Sequence, residues 1–205
     1  ALPFAAFVVA VAVGGRLPRK GAIVGSIASA GALGLSVLLA LSVATTGTYT
    51  ATIWRWAAGS DGVTLSFGVL VDPLSTMMLI IVSLIALLVH IFSLGYMNDE
   101  GERDLPRYYA GLGLFTASML GFVIADNLLM AFMFFELVGL CSYLLIGFWY
   151  REEAPPSAAK KAFLVTRFGD YFFLIGVVAV FATFGTAKFV GADGVPRPRR
   201  GSDRR

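Results

Sequence analysis

Three ionisable side chains stand inside long apolar runs of this sequence, where a charge is costly. Glu136, in Met133-Phe-Phe-Glu-Leu-Val, lies about ten residues into the run that begins near Asn127, roughly 15 Å at 1.5 Å per residue and so close to a bilayer midplane. Asp170 lies about eight residues into the following run, roughly 12 Å deep, with Arg167 one helical turn earlier on the same face. His90 is shallower, about seven residues from the end of an earlier run. Insertion scales put an Asp, Lys or Arg at a helix centre at about 2.5–3.5 kcal/mol. Groups kept at that cost point to proton handling.

Each residue also has a bland reading. Glu136 is either a protonated carboxyl hydrogen-bonded to a neighbouring helix or a proton carrier with a movable proton affinity. The carrier is the stronger reading, because nothing at i±3 or i±4 offers a partner and one must come from another helix. For Asp170 a structural pair with Arg167 and a titrating role stand level. His90 reads more readily as an interfacial side chain with a backbone partner than as a proton relay. Lys160 and Lys161 are either ordinary loop charges or cations that bias the nearby carboxylates. Cys141 reads as small-residue helix packing. Gly111-Leu-Gly113 lacks a third glycine and sits within an apolar run, so no dinucleotide-binding loop is expected.

The elements that must hold these residues follow from runs of about 20 apolar residues bounded by charge. About six occur: a short one at 2–13, then 21–44, 74–97, 108–125, 127–150 and 162–184. The first begins without a Met and is followed, not preceded, by Arg16, Arg19 and Lys20. It reads as a clipped span and not as a signal peptide. The second is rich in Gly, Ala and Ser, which let helices approach closely in lipid. Between the second and third, Thr64-Leu-Ser-Phe-Gly-Val alternates after Asp61-Gly62, the pattern of a short hairpin on the membrane surface. Pro73 suits the first turn of the third helix, and Asp126-Asn127 leaves room only for a tight turn between antiparallel helices.

Placing the first loop on the cytoplasmic side puts Arg16, Arg19, Lys20, Arg103, Arg107, Arg151, Lys160 and Lys161 there, against Arg55 on the other. Residues 191–205 break this bias with five arginines and have a disordered composition, so a disordered, non-native end is expected. The formal charge of +3 belongs to that tail, because residues 1–190 are close to neutral. Composition agrees with a membrane chain: charged residues are 14% where about 25% is usual for soluble domains. One Cys and one His exclude a disulfide framework and make a Cys-rich zinc or iron–sulfur site untenable. No basic surface suggests nucleic acid. The fold class expected is all-α, a polytopic transmembrane helix bundle.

Val71-Asp-Pro-Leu-Ser-Thr-Met-Met, Phe92-Ser-Leu-Gly-Tyr-Met, Ala125-Asp-Asn-Leu-Leu-Met, Glu136-Leu-Val-Gly-Leu-Cys-Ser-Tyr-Leu-Leu-Ile-Gly-Phe-Trp149 and Lys160-Lys-Ala-Phe-Leu-Val-Thr-Arg-Phe-Gly-Asp170 resemble the largest antiporter-like membrane subunit (chain 5 type) of respiratory complex I, the proton-pumping NADH:quinone oxidoreductase. The resemblance covers about residues 1–190. The large subunit of multisubunit cation/proton antiporters is the near alternative, sharing the fifth-span carboxylate. A truncated structural product that conducts nothing is a third reading.

The resemblance implies a division into 1–61, an N-terminal transmembrane pair and outer loop; 62–112, the chain 5 N-terminal segment; 126–190, the start of the antiporter-like core; and the tail 191–205. It implies that Glu136 is the fifth-helix glutamate of a proton channel, Asp170 the sixth-helix aspartate and Arg167 the arginine before it. In that family the glutamate works with a lysine on a seventh helix, and this chain ends before one; Lys160 and Lys161 are not its equivalent. The implied partners are other membrane subunits of the complex and the lipid bilayer of an energy-transducing membrane. NADH, FMN, iron–sulfur clusters and quinone belong to the parent complex, none bound by this chain.

Overall fold

The computed structural model describes residues 1–16, 21–58, 64–97, 104–184 and 187–189. Six helices run in chain order: α1 (Leu2–Val13), α2 (Ala22–Thr46), α3 (Pro73–Tyr96), α4 (Leu105–Val123), α5 (Leu128–Ile146) and α6 (Ala154–Phe184). Between α2 and α3 an antiparallel hairpin pairs β1 (Tyr49–Ala58) with β2 (Thr64–Val71), from Tyr49 opposite Val71 to Ala58 opposite Thr64, with irregularities between Thr52 and Trp54 and between Arg55 and Ala57. The bundle is therefore helical with one sheet element. The expected hairpin was read from the alternation of the second strand; the first is Tyr49-Thr-Ala-Thr-Ile-Trp and the residues after it. Arg19, Lys20, Arg103, the Asp61-Gly62 turn and the tail 191–205 lie outside the described residues.

Helix ends follow local chemistry. Asp72 caps α3, its Oδ1 accepting from the Ser75 amide at 2.6 Å, and Pro73 takes the first turn, where a missing N–H costs nothing. Asn127 caps α5 in the same way, accepting from the Met130 amide at 2.8 Å. Helix α6 starts eight residues earlier than expected, at Ala154, because Pro155 and Pro156 also fit a first turn. At 31 residues it is roughly 46 Å long, well beyond a ~30 Å hydrocarbon core.

Among the described residues, α2, α3, α5 and α6 are long and apolar enough to cross a membrane, and α1 is a shorter apolar helix. The fourth expected span, α4, has 19 residues but carries Arg107, Tyr108, Tyr109, Thr116 and Ser118. It is enclosed instead, packing on α1, α2, α3 and α5. Gly113 brings it onto α1, for a Cβ there would stand 3.3 Å from the Pro3 carbonyl. Helices α2 and α3 meet along small or polar residues, with Ala22, Gly25, Ser29, Ala32 and Ser36 facing Leu79, Ser83, Ala86 and His90. Outward, Ile27, Leu38, Leu164 and Phe172 are each more than 60% exposed, a surface that suits hydrocarbon and not water.

The two ends of the bundle differ. At one, Gly14 lies against Pro106, and Arg107 donates to the Phe148 carbonyl while stacking over the Phe148 and Tyr150 rings. This end gathers Arg16, Arg107 and Arg151. At the other, the α4–α5 turn is inserted between the hairpin and the segment after α6. The Leu70 amide donates to the Ile124 carbonyl at 3.0 Å, and the Leu128 amide donates to the Ala187 carbonyl at 2.8 Å.

Candidate functional site

Helix α5 carries one charged residue, Glu136, its ninth residue of 19 and so close to its midpoint. Helix α6 brings Arg167 and Asp170, its fourteenth and seventeenth residues of 31, to the same level. The α5–α6 packing joins Glu136 to Arg167: the guanidinium Nη1 pairs with the carboxylate Oε2, with the two side chains 18% and 31% exposed respectively. A carboxylate without a partner on its own helix thus finds a cation on the next one.

Arg167 had a second candidate in Asp170, one turn along its own helix. The guanidinium goes to α5, and the structure forms no Arg167–Asp170 ion pair among the described residues. Asp170 is half-buried, one turn further toward the hairpin end. The short-range pairing that helical spacing suggests is therefore displaced by an interhelical one.

Aromatic side chains bracket the ion pair. Toward the hairpin end, Phe132 and Phe135 of α5 meet Phe173 of α6 at centroid distances of 5.5 and 5.8 Å. On the opposite side Tyr143 packs on Phe163 at 5.4 Å, and the Arg167 guanidinium lies 4.5 Å from the Phe163 centroid. The cation is held by a carboxylate and a π face together, which strengthens where water is scarce. Sequence reasoning missed these two tiers; the signal was Phe132, Phe135 and Tyr143 about Glu136 on one helix and Phe163 and Phe173 about Arg167 on the next.

The other expected residues lie elsewhere. His90 is fully enclosed between α2 and α3, in a different interface from Glu136. Its Nδ1 is 2.7 Å from the Ala86 carbonyl, which can only accept, so Nδ1 carries the proton; Ser29 Oγ is 3.2 Å away. Nε2 has no partner among the described residues and faces Gly25, where a Cβ would come within 2.8 Å. Lys160 and Lys161 are exposed near the start of α6, roughly 10 Å along the axis from Arg167. They do not touch the pair. Cys141 is buried beside Ser118.

Comparison with known proteins gives the chain its relatives. Residues 56–109 match the family described as NADH-Ubiquinone oxidoreductase (complex I), chain 5 N-terminus, and residues 125–194 match NADH:quinone oxidoreductase/Mrp antiporter, TM. The chain is 41% identical over 168 residues, 76% of its length, to NAD(P)H-quinone oxidoreductase subunit 5 of the Anthoceros angustus chloroplast, covering 22% of that protein. It is 42% identical over 180 residues, 87% of its length, to F(420)H(2) dehydrogenase subunit L of Methanosarcina mazei, covering 26% of it. The chain thus spans about a quarter of the length of these relatives. Among solved structures, a chain of the Mrp complex from Dietzia sp. superposes with a TM-score of 0.71 at 26% identity, over 91% of this chain and 20% of that one. A chain of the archaeal membrane-bound sulfane sulfur reductase shares the fold, with a TM-score of 0.75 at 15% identity, over 91% of this chain and 37% of that one.

Proposed function

This chain belongs to the chain 5-type, antiporter-like membrane subunits of NADH:quinone oxidoreductases, and on that premise we propose that it supplies half of a proton channel in which Glu136 carries the proton. The observation behind this reading is the Glu136–Arg167 pair at the midpoints of two membrane helices. Moving one charge against about 150 mV costs roughly 3.5 kcal/mol. The approach or withdrawal of one cation changes the energy of a carboxylate in a low-dielectric site by a similar amount. One carboxylate and one movable guanidinium are therefore enough for each proton.

In this reading Arg167 is the movable cation and Asp170 the second proton-translocating carboxylate, one helical turn away. Lys160 and Lys161 bias the pair from a distance, and His90 is a relay confined to the α2–α3 interface. The parent complex passes electrons from NADH to quinone, through FMN and iron–sulfur clusters held by other subunits. The single buried thiol of Cys141 does not fit the donor set of such a cluster, so no step is routed through one here. Its partners are the neighbouring membrane subunits, in an energy-transducing membrane. The likeness to a chain of the Mrp complex supports a second reading, a large subunit of a cation/proton antiporter that uses the same pair without electron transfer.

The test is Glu136→Gln in a full-length subunit assembled in its complex. The amide keeps the shape and cannot carry the proton, so pumping is lost while assembly and quinone reduction persist. An unchanged proton-to-electron stoichiometry would sink the assignment.

A further inference from the structure

Three groups near Arg167 in the sequence or the fold can hold a guanidinium, and they lie in different directions. Glu136 meets it across the helix interface, from α5. Phe163 stands four residues earlier on α6, and its ring centroid is 4.5 Å from the guanidinium carbon. Asp170 stands three residues later on the same helix. Long side chains on a helix lean back over the turn N-terminal to their own Cα. Arg167 is therefore directed to Phe163 at i−4 and away from Asp170 at i+3. The ring it meets is itself backed by α5: Tyr143, seven residues after Glu136, packs on Phe163 with 5.4 Å between centroids. Tyr143, Phe163, Arg167 and Glu136 thus form a circuit of contacts from α5 to α6 and back. A ring face differs from a carboxylate in one respect that bears on proton transfer. Protonating Glu136 removes its charge and weakens its hold on the guanidinium, whereas no proton cancels the attraction of the Phe163 ring.

We propose that Phe163 is a positioning residue that sets the resting side of the cation: its ring holds the Arg167 guanidinium at Glu136, and passage to Asp170 requires that contact to be given up. The proposal rests on the reading of the Glu136–Arg167 pair as the proton site. The contact depends on the charge distribution of the ring and not on its bulk. Phe163→Leu keeps an apolar side chain there and removes the π face, so the guanidinium is then shared between the two carboxylates. Phe163→Tyr keeps the face and the preference for Glu136.

The experiment reads the unfolding equilibrium of the whole chain in mixed micelles, so its outcome is separate from whether Glu136 carries protons. Phe163 is replaced in turn by phenylalanines carrying one, two and three ring fluorines, which draw negative charge from the ring face with little change of shape. The unfolding constant should rise with each fluorine, by about fivefold at three. The rise should persist in Glu136→Gln, which stands in for the protonated carboxyl. It should vanish in Arg167→Met, where the packing of the ring on Tyr143 remains. A double-mutant cycle of Arg167→Met with Asp170→Asn then reads the choice of carboxylate. Its coupling should be under about twofold beside Phe163 or Phe163→Tyr, and about fivefold or more beside Phe163→Leu. The proposal is overturned by a flat fluorine series, by an equal rise in Arg167→Met, by loss of the rise in Glu136→Gln, or by an Arg167–Asp170 coupling that Phe163→Leu leaves unchanged.

Discussion

Replacing Arg167 by methionine keeps most of the side chain's length and removes its charge, leaving the Glu136 carboxylate in the membrane without its cation. Two unit charges about 4 Å apart at an effective dielectric constant of about 20 attract by about 4 kcal/mol. The side chains retain 18% and 31% exposure, and a chain unfolded within a membrane finds substitute partners. Together these reduce the net coupling to roughly 2–3 kcal/mol. A double-mutant cycle isolates it: Arg167→Met, Glu136→Gln and the pair, each unfolded reversibly with SDS in mixed micelles and followed by circular dichroism. Arg167→Met alone should be the least stable, and Glu136→Gln in its background should recover most of the loss, because no buried charge is left unpaired. The same cycle between Arg167 and Asp170 should give under about 0.5 kcal/mol, as the guanidinium is turned away from it. A Glu136–Arg167 coupling below that figure, or an Asp170 coupling larger than the Glu136 one, would refute the pairing and the site built on it.

Two further outcomes follow from close contacts. Gly25→Ala sets a Cβ against the His90 ring, 2.7 Å from Cδ2, and should destabilise the α2–α3 interface by about 1–3 kcal/mol; adding His90→Ala should recover most of that in the same SDS titration, and no recovery would show that the strain lies elsewhere. Asn127→Ala removes the α5 cap and should cost about 1 kcal/mol, whereas Asn127→Asp, which still accepts from the Met130 amide, should cost much less; equal losses would exclude capping as the cause.

The position of Glu136 along its helix was legible in the sequence, because it needs only the rise per residue and a helix end; that of Asp170 was not, because α6 begins eight residues before the apolar run. Glu136 fell where expected, although α5 closes at Ile146, four residues before the apolar run does. The partner of Arg167 was not legible. Spacing along one helix makes Asp170 its obvious neighbour, but the choice between Asp170 and Glu136 depends on how α6 is rotated against α5, which no single-helix pattern contains. Rotation is set by the rings of Phe132, Phe135, Tyr143, Phe163 and Phe173, whose face becomes visible only once the helices are paired. The first strand of the hairpin carries the same signal as the second, Tyr49-Thr-Ala-Thr-Ile alternating as β2 does, and the alternation breaks at Trp54, where the pairing is irregular.

Hydropathy alone ranks α4 as the poorest of the expected spans, and the structure makes it the most enclosed. Tyr109, Thr116 and Ser118 are buried there against other helices, with Tyr109 donating to the Ser93 carbonyl and Thr116 to Leu112. These three uncharged polar groups of α4 are satisfied by backbone carbonyls. The charges go instead to the α5–α6 interface, on a helix whose other face is a wall of Leu164, Val165, Phe168, Phe172 and Ile175. A pair meant only to hold helices together would be better served at α4, where neighbours surround it on every side. The Arg167 guanidinium sits between two helices and two aromatic tiers, with Asp170 one turn further along α6. Exchange of the guanidinium between the two carboxylates is what the proposed proton carrier requires of its cation.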